Sequence, residues 1–496
     1  MGNLKSLAKD TVLYGLSSII GRFLKYLLVP LYTAKLSAAS GGYGVVTNVY
    51  AYTALLMVIL TYGMETGFFY FINERKADRM RVYSTILISV ATSSLLFILL
   101  VFSFLPEIAN AMNYTNHPEY IGMMAITVAV DAFLSIPFAY LRSMEKARKF
   151  VALKLLFIVL NICLNLIYFI VLPLFKSAYP EFVSRVYNPN VEVAYIFGVN
   201  LFCTLFTIPF FWKELTGFRY VFDRTLWREI MRYSFPILLL GIVGVLNQSS
   251  DKIIYPKVDG SATALKDLGI YGAASKIAMI MAMLLQAFRY AYEPFVFNKK
   301  NDKDNKEVYS LGMKYFLMFT LLAFLGVMSY LDLLRYLIAP DYWGGLRVVP
   351  IVMTAEIFMG IYFNLAFWYK LKKETYWGAY FSIAGCIVML AINVIFIPTY
   401  GYMACAWAGL IGYMIPMILS YFVGQKRYPI HYDLNSMGRY VLLTVLLYGG
   451  MTLVPDDWNI VLKLSINTLL LGIYICYLVK HDFPLRSLPV IGKYFK

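Results

Sequence analysis

Among the ionisable side chains inside stretches apolar enough to read as membrane-spanning helices, eleven stand out. They are Arg22, Lys25, Glu65, Asp131, Lys154, Asp251, Lys252, Lys276, Arg289, Glu293 and Glu356. A charge at the bilayer centre costs roughly 2.5–3.5 kcal/mol on insertion scales, so each needs water, a partner or a polar ligand. By sign the set divides into two chemistries. The cations Arg22, Lys25, Lys154, Lys252, Lys276 and Arg289 suit an anion such as phosphate, which arginine grips through two parallel N–H donors. The carboxylates Glu65, Asp131, Asp251, Glu293 and Glu356 suit a proton or a sodium ion, because partial burial makes a carboxyl group tunable. Together they imply a polar pathway through a membrane, and hence transport.

Spacing sharpens some of these roles. Arg22 and Lys25 share one helical face, with Ser18 and Val29 a turn away on either side. Both lie more than two turns from the expected helix ends, which favours anion binding over snorkelling. Lys154 begins a stripe with Asn161 and Asn165; snorkelling and a ligand role both remain open for it, and the amides also suit interhelical hydrogen bonding. Gln286, Arg289 and Glu293 share a side, with Arg289 and Glu293 spaced as an i,i+4 pair expected to neutralise itself. Lys276 stands apart, nearer the outer end, where it could attract an anionic sugar or headgroup. Asp251 faces the same way as Asn247, and its neighbour Lys252, about 100° away around the helix, is expected to balance it poorly. Tyr52 and Tyr62, with Asn48 and Glu65, are candidates to line a cavity. The five cysteines lie in apolar segments without CxxC spacing, and the three histidines fall in connections, so neither a disulfide framework, a metal site nor a cofactor is expected.

The elements that must position these groups follow from composition. With 60% hydrophobic and 15% charged residues and a mean hydropathy of +0.66, the chain reads as a polytopic all-α membrane protein. Segments long enough to span number about fourteen: 11–36, 42–72, 83–105, 119–141, 151–173, 191–212, 233–256, 268–297, 311–338, 346–369, 377–397, 402–423, 438–454 and 459–479. The first is too long and too charged for a cleavable signal peptide. The start Met1-Gly2-Asn3-Leu4-Lys5-Ser6 matches an acylation pattern that a multiply anchored chain does not need. Alternate connections carry 29 Lys and Arg on one side against 6 on the other. The excess marks the cytoplasmic side and puts both termini there, in an inner (cytoplasmic) membrane. The net charge of +16 is thus a topology signal rather than a nucleic-acid one. Connections are short on both faces, which leaves no room for an extramembrane domain.

A repeat is visible. Arg22 and Lys25 precede Gly42-Tyr43-Gly44, and Asp251 and Lys252 precede Ile270-Tyr271-Gly272 at nearly the same interval. The copies are six spans apart and therefore parallel. The expected domains are an N-terminal six-helix lobe (1–232), a C-terminal six-helix lobe (233–437) and an appended helix pair with a tail (438–496). The first, second, seventh and eighth spans, the least apolar, are expected to line a central cavity.

Gly42-Tyr43-Gly44, Gly63-Met64-Glu65-Thr66-Gly67, Leu141-Arg142-Ser143-Met144-Glu145-Lys146-Ala147, Ser249-Ser250-Asp251-Lys252 and Gly269-Ile270-Tyr271-Gly272 occur here in order. In this the chain resembles the polysaccharide flippases of the MOP exporter superfamily, over the first twelve spans. The resemblance implies two six-helix bundles and alternating access. It also implies an undecaprenyl-diphosphate-linked oligosaccharide as substrate, moved from the cytoplasmic to the periplasmic leaflet for O-antigen-type (lipopolysaccharide) synthesis. Membrane lipids and a polysaccharide polymerase are its candidate partners. A multidrug or cation antiporter of the same fold is the alternative; the first span's cations, with no acid among them, count against it. A membrane glycan polymerase or ligase is a more distant alternative, since such enzymes usually carry a large outer loop.

Overall fold

In a computed structural model, residues 24, 26–75, 78–188, 191–298, 305–455 and 458–482 are described. Twelve helices among them are long and apolar enough to cross a membrane. They match the second to twelfth spans and the fourteenth. Of the first span only Leu28–Lys35 and its flank are described, so Ser18, Arg22 and Lys25 lie outside the described residues. The thirteenth forms a 19-residue helix, Leu434–Thr452.

Two departures have local causes. The second span is not one rod: Gly42–Thr61 and Met64–Glu74 are separated at Tyr62 and Gly63, both with positive φ (30° and 73°). Gly63 tolerates that conformation; Tyr62 is held in it while its hydroxyl bonds Ser89 at 2.7 Å. The ninth span, expected to 338, ends its long helix at Ser329. Beyond it Asp332 pairs with Lys463 at 2.9 Å and with Arg335 at 3.5 Å, so this stretch leaves the apolar run to make ion pairs. A smaller correction concerns His481, which closes the last helix rather than lying in a connection.

The chain divides into two compact units, Met1–Gly272 and Ala273–Lys496. In the first, the 36-residue seventh span, Arg224–Asp259, starts where the Asp223 carboxylate accepts from the Thr225 and Leu226 N–H groups, and it stops at Gly260 with φ +63°. The Leu226 N–H, opposed by slight desolvation and aided by Arg81, holds the Asp223 carboxyl below its usual range. This helix packs along both pieces of the second span. At Gly67 a β-carbon would come within 2.6 Å of Ser234 Oγ, so glycine is what allows the approach.

In the second unit the twelfth span packs against both the tenth and the eleventh. The appended pair packs on the ninth span and is fastened at both ends. At one end Lys314 pairs with Asp482 and, at 3.3 Å, with Asp433, and Tyr440 donates to Asp482 at 2.7 Å. At the other end stands the Lys463–Asp332 pair. Lys314 and Lys463 both lie in apolar spans, and because each pairs with an acid outside its own span, the sequence carries no spacing signal for either.

Candidate functional site

The sequence strings quoted above meet in pairs within the first unit. Gly44, on the second span, lies so close to the start of the eighth that an added β-carbon would sit 1.8 Å from the Leu265 carbonyl oxygen. Reciprocally, Gly272 on the eighth would meet Thr47 Oγ1 of the second at 2.7 Å. Each of these two glycines thus receives the other's helix. Just below, Asn48 donates to the Lys252 carbonyl at 2.6 Å and accepts from Tyr114 at 2.9 Å. Tyr271 donates to Asp251 at 2.7 Å. Glu65, from the Gly63–Gly67 string, pairs with Arg142 from the string after the fourth span.

These contacts correct one expectation and give partners to three further candidates. Lys252 does balance Asp251: its ammonium lies 2.8 Å from Asp251 Oδ2, because a four-carbon stem spans the 100° between neighbours. Asn48 and Tyr62 hydrogen-bond to neighbouring helices. Tyr52 reaches towards the Ile253 carbonyl at 3.5 Å.

A second polar assembly crosses the core of the same unit. Tyr32 donates to Asn165 Oδ1 at 3.0 Å, Asn165 donates to the Asn161 carbonyl at 2.8 Å, Asn161 donates to Asn200 Oδ1 at 3.3 Å, and Asn200 donates to the Tyr50 hydroxyl. Asp131 accepts from Thr204 at 3.2 Å and is near enough to Tyr50 to act on it electrostatically. Five spans, the first, second, fourth, fifth and sixth, thereby contribute oxygen or amide groups to one ladder. Of the Lys154–Asn161–Asn165 stripe, the two asparagines turn into this core, whereas Lys154 is exposed with its ammonium 4.1 Å from the Phe138 ring centre.

In the second unit a narrow cleft lies among the eighth, ninth and tenth spans. Its wall includes Phe288, Arg289, Glu293, Phe363, Asn364 and Lys370. The expected Arg289–Glu293 pair does not form. Glu293 turns to Lys370 on the tenth span at 2.6 Å, and the Arg289 guanidinium lies over the Phe363 ring at 4.1 Å. A guanidinium spread on an aromatic face is held there by the ring's negative potential and keeps its N–H edge for another acceptor. No carboxylate among the described residues pairs with Arg289. Lys276 and Glu356 are half-buried elsewhere in this unit and do not line the cleft.

Comparisons with known proteins agree with this architecture. A family model described as "Polysaccharide biosynthesis protein" matches residues 7–294. The solved structure "Lipid II flippase MurJ, inward closed conformation" matches with a TM-score of 0.70 at 14% identity, over 95% of this chain and 99% of that one. "Inward-facing conformation of a multidrug resistance MATE family transporter of the MOP superfamily" matches with a TM-score of 0.63 at 16% identity, over 84% and 95%. "Crystal structure of MATE in the straight conformation" matches with a TM-score of 0.57 at 14% identity, over 88% and 97%. No curated protein matches the chain in sequence. At these identities the structural likeness is one of fold.

Proposed function

Because the chain belongs to the polysaccharide biosynthesis protein family, within the MOP superfamily, we propose that it flips an undecaprenyl-diphosphate-linked oligosaccharide from the cytoplasmic to the periplasmic leaflet by alternating access. The observation that carries this reading is Arg289. A guanidinium on a membrane helix, stacked on Phe363 and without a carboxylate partner among the described residues, is a fixed positive charge waiting for an anion. A diphosphate supplies that anion; Arg22 and Lys25 are the further candidate cations that the sequence offers. The coupling ion, a proton or sodium, binds at Asp131. Asp131 accepts from Thr204 beside a ladder of amides and hydroxyls, the oxygen-rich setting a hard cation or proton uses.

Arg289→Ala is expected to abolish surface glycan in cells while the protein stays at normal level in the membrane. Arg289→Lys should restore it only partly, since an ammonium lacks the planar fork. Arg22→Ala should behave as Arg289→Ala does. Normal glycan export by Arg289→Ala, or export of cationic drugs instead of glycan by the unaltered protein, would overturn the reading.

A further inference from the structure

The connection between the sixth and seventh spans lies outside both the ladder and the cleft. The sixth span, Glu192–Leu215, has 24 residues. At 1.5 Å per residue it is about 36 Å long, more than the roughly 30 Å hydrocarbon core, so its last turn stands at headgroup level. There the side chains divide by direction. Phe211 is buried against Phe138, and Glu214 is buried beside Lys149 at 2.6 Å and Lys146 at 3.9 Å. Trp212 and Lys213, between them, are exposed, Trp212 to 71%.

The chain then runs without helix to Asp223, yet its backbone is tied down from the third span. Tyr83 donates to the Glu214 carbonyl at 2.9 Å, the Val221 N–H to Ser84 Oγ at 2.7 Å and the Asp223 N–H to Thr85 Oγ1 at 3.2 Å. On this fixed backbone Arg219, Tyr220 and Phe222 are exposed. Lys213 and Arg219 pair with no carboxylate among the described residues; the neighbouring acids Glu214 and Asp223 are taken by Lys149 and, at 2.9 Å, by Arg81. Across 142–149 and 213–224 seven cations stand against three acids, of which Glu145 is exposed.

Exposed rings beside surplus cations at this depth select one partner. Water would leave the rings of Trp212, Tyr220 and Phe222 uncovered, whereas a bilayer interface takes an aromatic body and keeps its polar edge wet. A zwitterionic headgroup brings its own ammonium to Lys213 and Arg219 and gains little. A phospholipid with net negative charge meets both cations, and its glycerol and upper acyl chains cover the rings.

We propose that residues 212–222 form a docking surface for an anionic phospholipid of the adjoining leaflet. Lys213 and Arg219 draw its phosphate, and Trp212, Tyr220 and Phe222 pack on its glycerol and acyl carbons. The bound lipid fixes the depth at which the sixth span ends and the seventh begins, whatever the protein transports.

The test is tryptophan quenching by brominated lipid, with full-length protein in phosphatidylcholine bilayers. Of the seven tryptophans, the Trp212 signal is the difference between the unaltered protein and Trp212→Phe. Brominated phosphatidylglycerol is expected to occupy the Trp212 site about fivefold or more in preference to brominated phosphatidylcholine. The double variant Lys213→Gln, Arg219→Gln should bring that preference to about twofold or less. High salt should do the same to the unaltered protein, which keeps the test valid should the double variant fail to fold. Equal quenching by the two brominated lipids, or a preference untouched by both the double variant and salt, would overturn the proposal.

Discussion

Asp131 shows how a single residue's surroundings decide its role. It lies in the fourth span beside Thr204 and Tyr50, at the end of a ladder that runs through Asn200, Asn161 and Asn165 to Tyr32. Protonating or neutralising it removes a charge from a polar but membrane-enclosed setting. Asp131→Asn is nearly isosteric and adds one more amide to the ladder, so it should leave the protein folded. It should also uncouple transport: glycan export falls by about 10-fold or more, an effect of at least about 1.4 kcal/mol, and loses its dependence on the ion gradient. Export that keeps its gradient dependence in this variant would exclude Asp131 as the coupling site. The intramembrane charges themselves are legible in the sequence, because polar residues interrupt apolar runs. Their partners are not. Arg142 for Glu65 and Lys370 for Glu293 lie 77 residues away along the chain in each case, and no periodicity reports a contact between different helices.

At the scale of elements, the meeting of the second and eighth spans is decided by glycine. Gly44 leaves no room for a β-carbon beside the Leu265 carbonyl oxygen, and Gly272 leaves little beside Thr47. Small residues are the usual means by which membrane helices approach each other, since lipid offers no hydrophobic drive between them. Gly44→Val must push the helices apart and should cost about 1–3 kcal/mol or more, as overpacking does. It should lower the melting temperature in detergent. Gly449→Val is the control: a β-carbon there meets nothing within 4 Å and the position has no positive φ. A Gly44→Val protein as stable as the unaltered one would show that this crossing contributes nothing to the fold. The existence and approximate ends of most helices are readable from apolar run length. The break at Tyr62–Gly63 is not, because hydropathy continues unbroken through it; only the string Gly63-Met64-Glu65-Thr66-Gly67 hints at something other than a plain span.

For the molecule as a whole, charge asymmetry predicts orientation. With 29 basic residues in one set of connections and 6 in the other, a reporter fused after Pro455 should read as periplasmic and one fused at Lys496 as cytoplasmic. The reverse pattern would invert the proposed direction of transport. Sequence alone determined that the chain is an all-helical membrane protein, roughly how many helices it has and which residues are out of place in lipid. These are properties of single segments, set by the transfer free energy of each side chain, and they add along the chain. Tertiary structure decided which charges are already neutralised and which are not. It turned Glu293 to Lys370, leaving Arg289 on Phe363, folded Lys252 back onto Asp251, and left Asn364 Oδ1 without a donor. Whether a charge or an acceptor is satisfied depends on atoms brought within about 3 Å by helices distant in sequence, a distance at which only packing has a say.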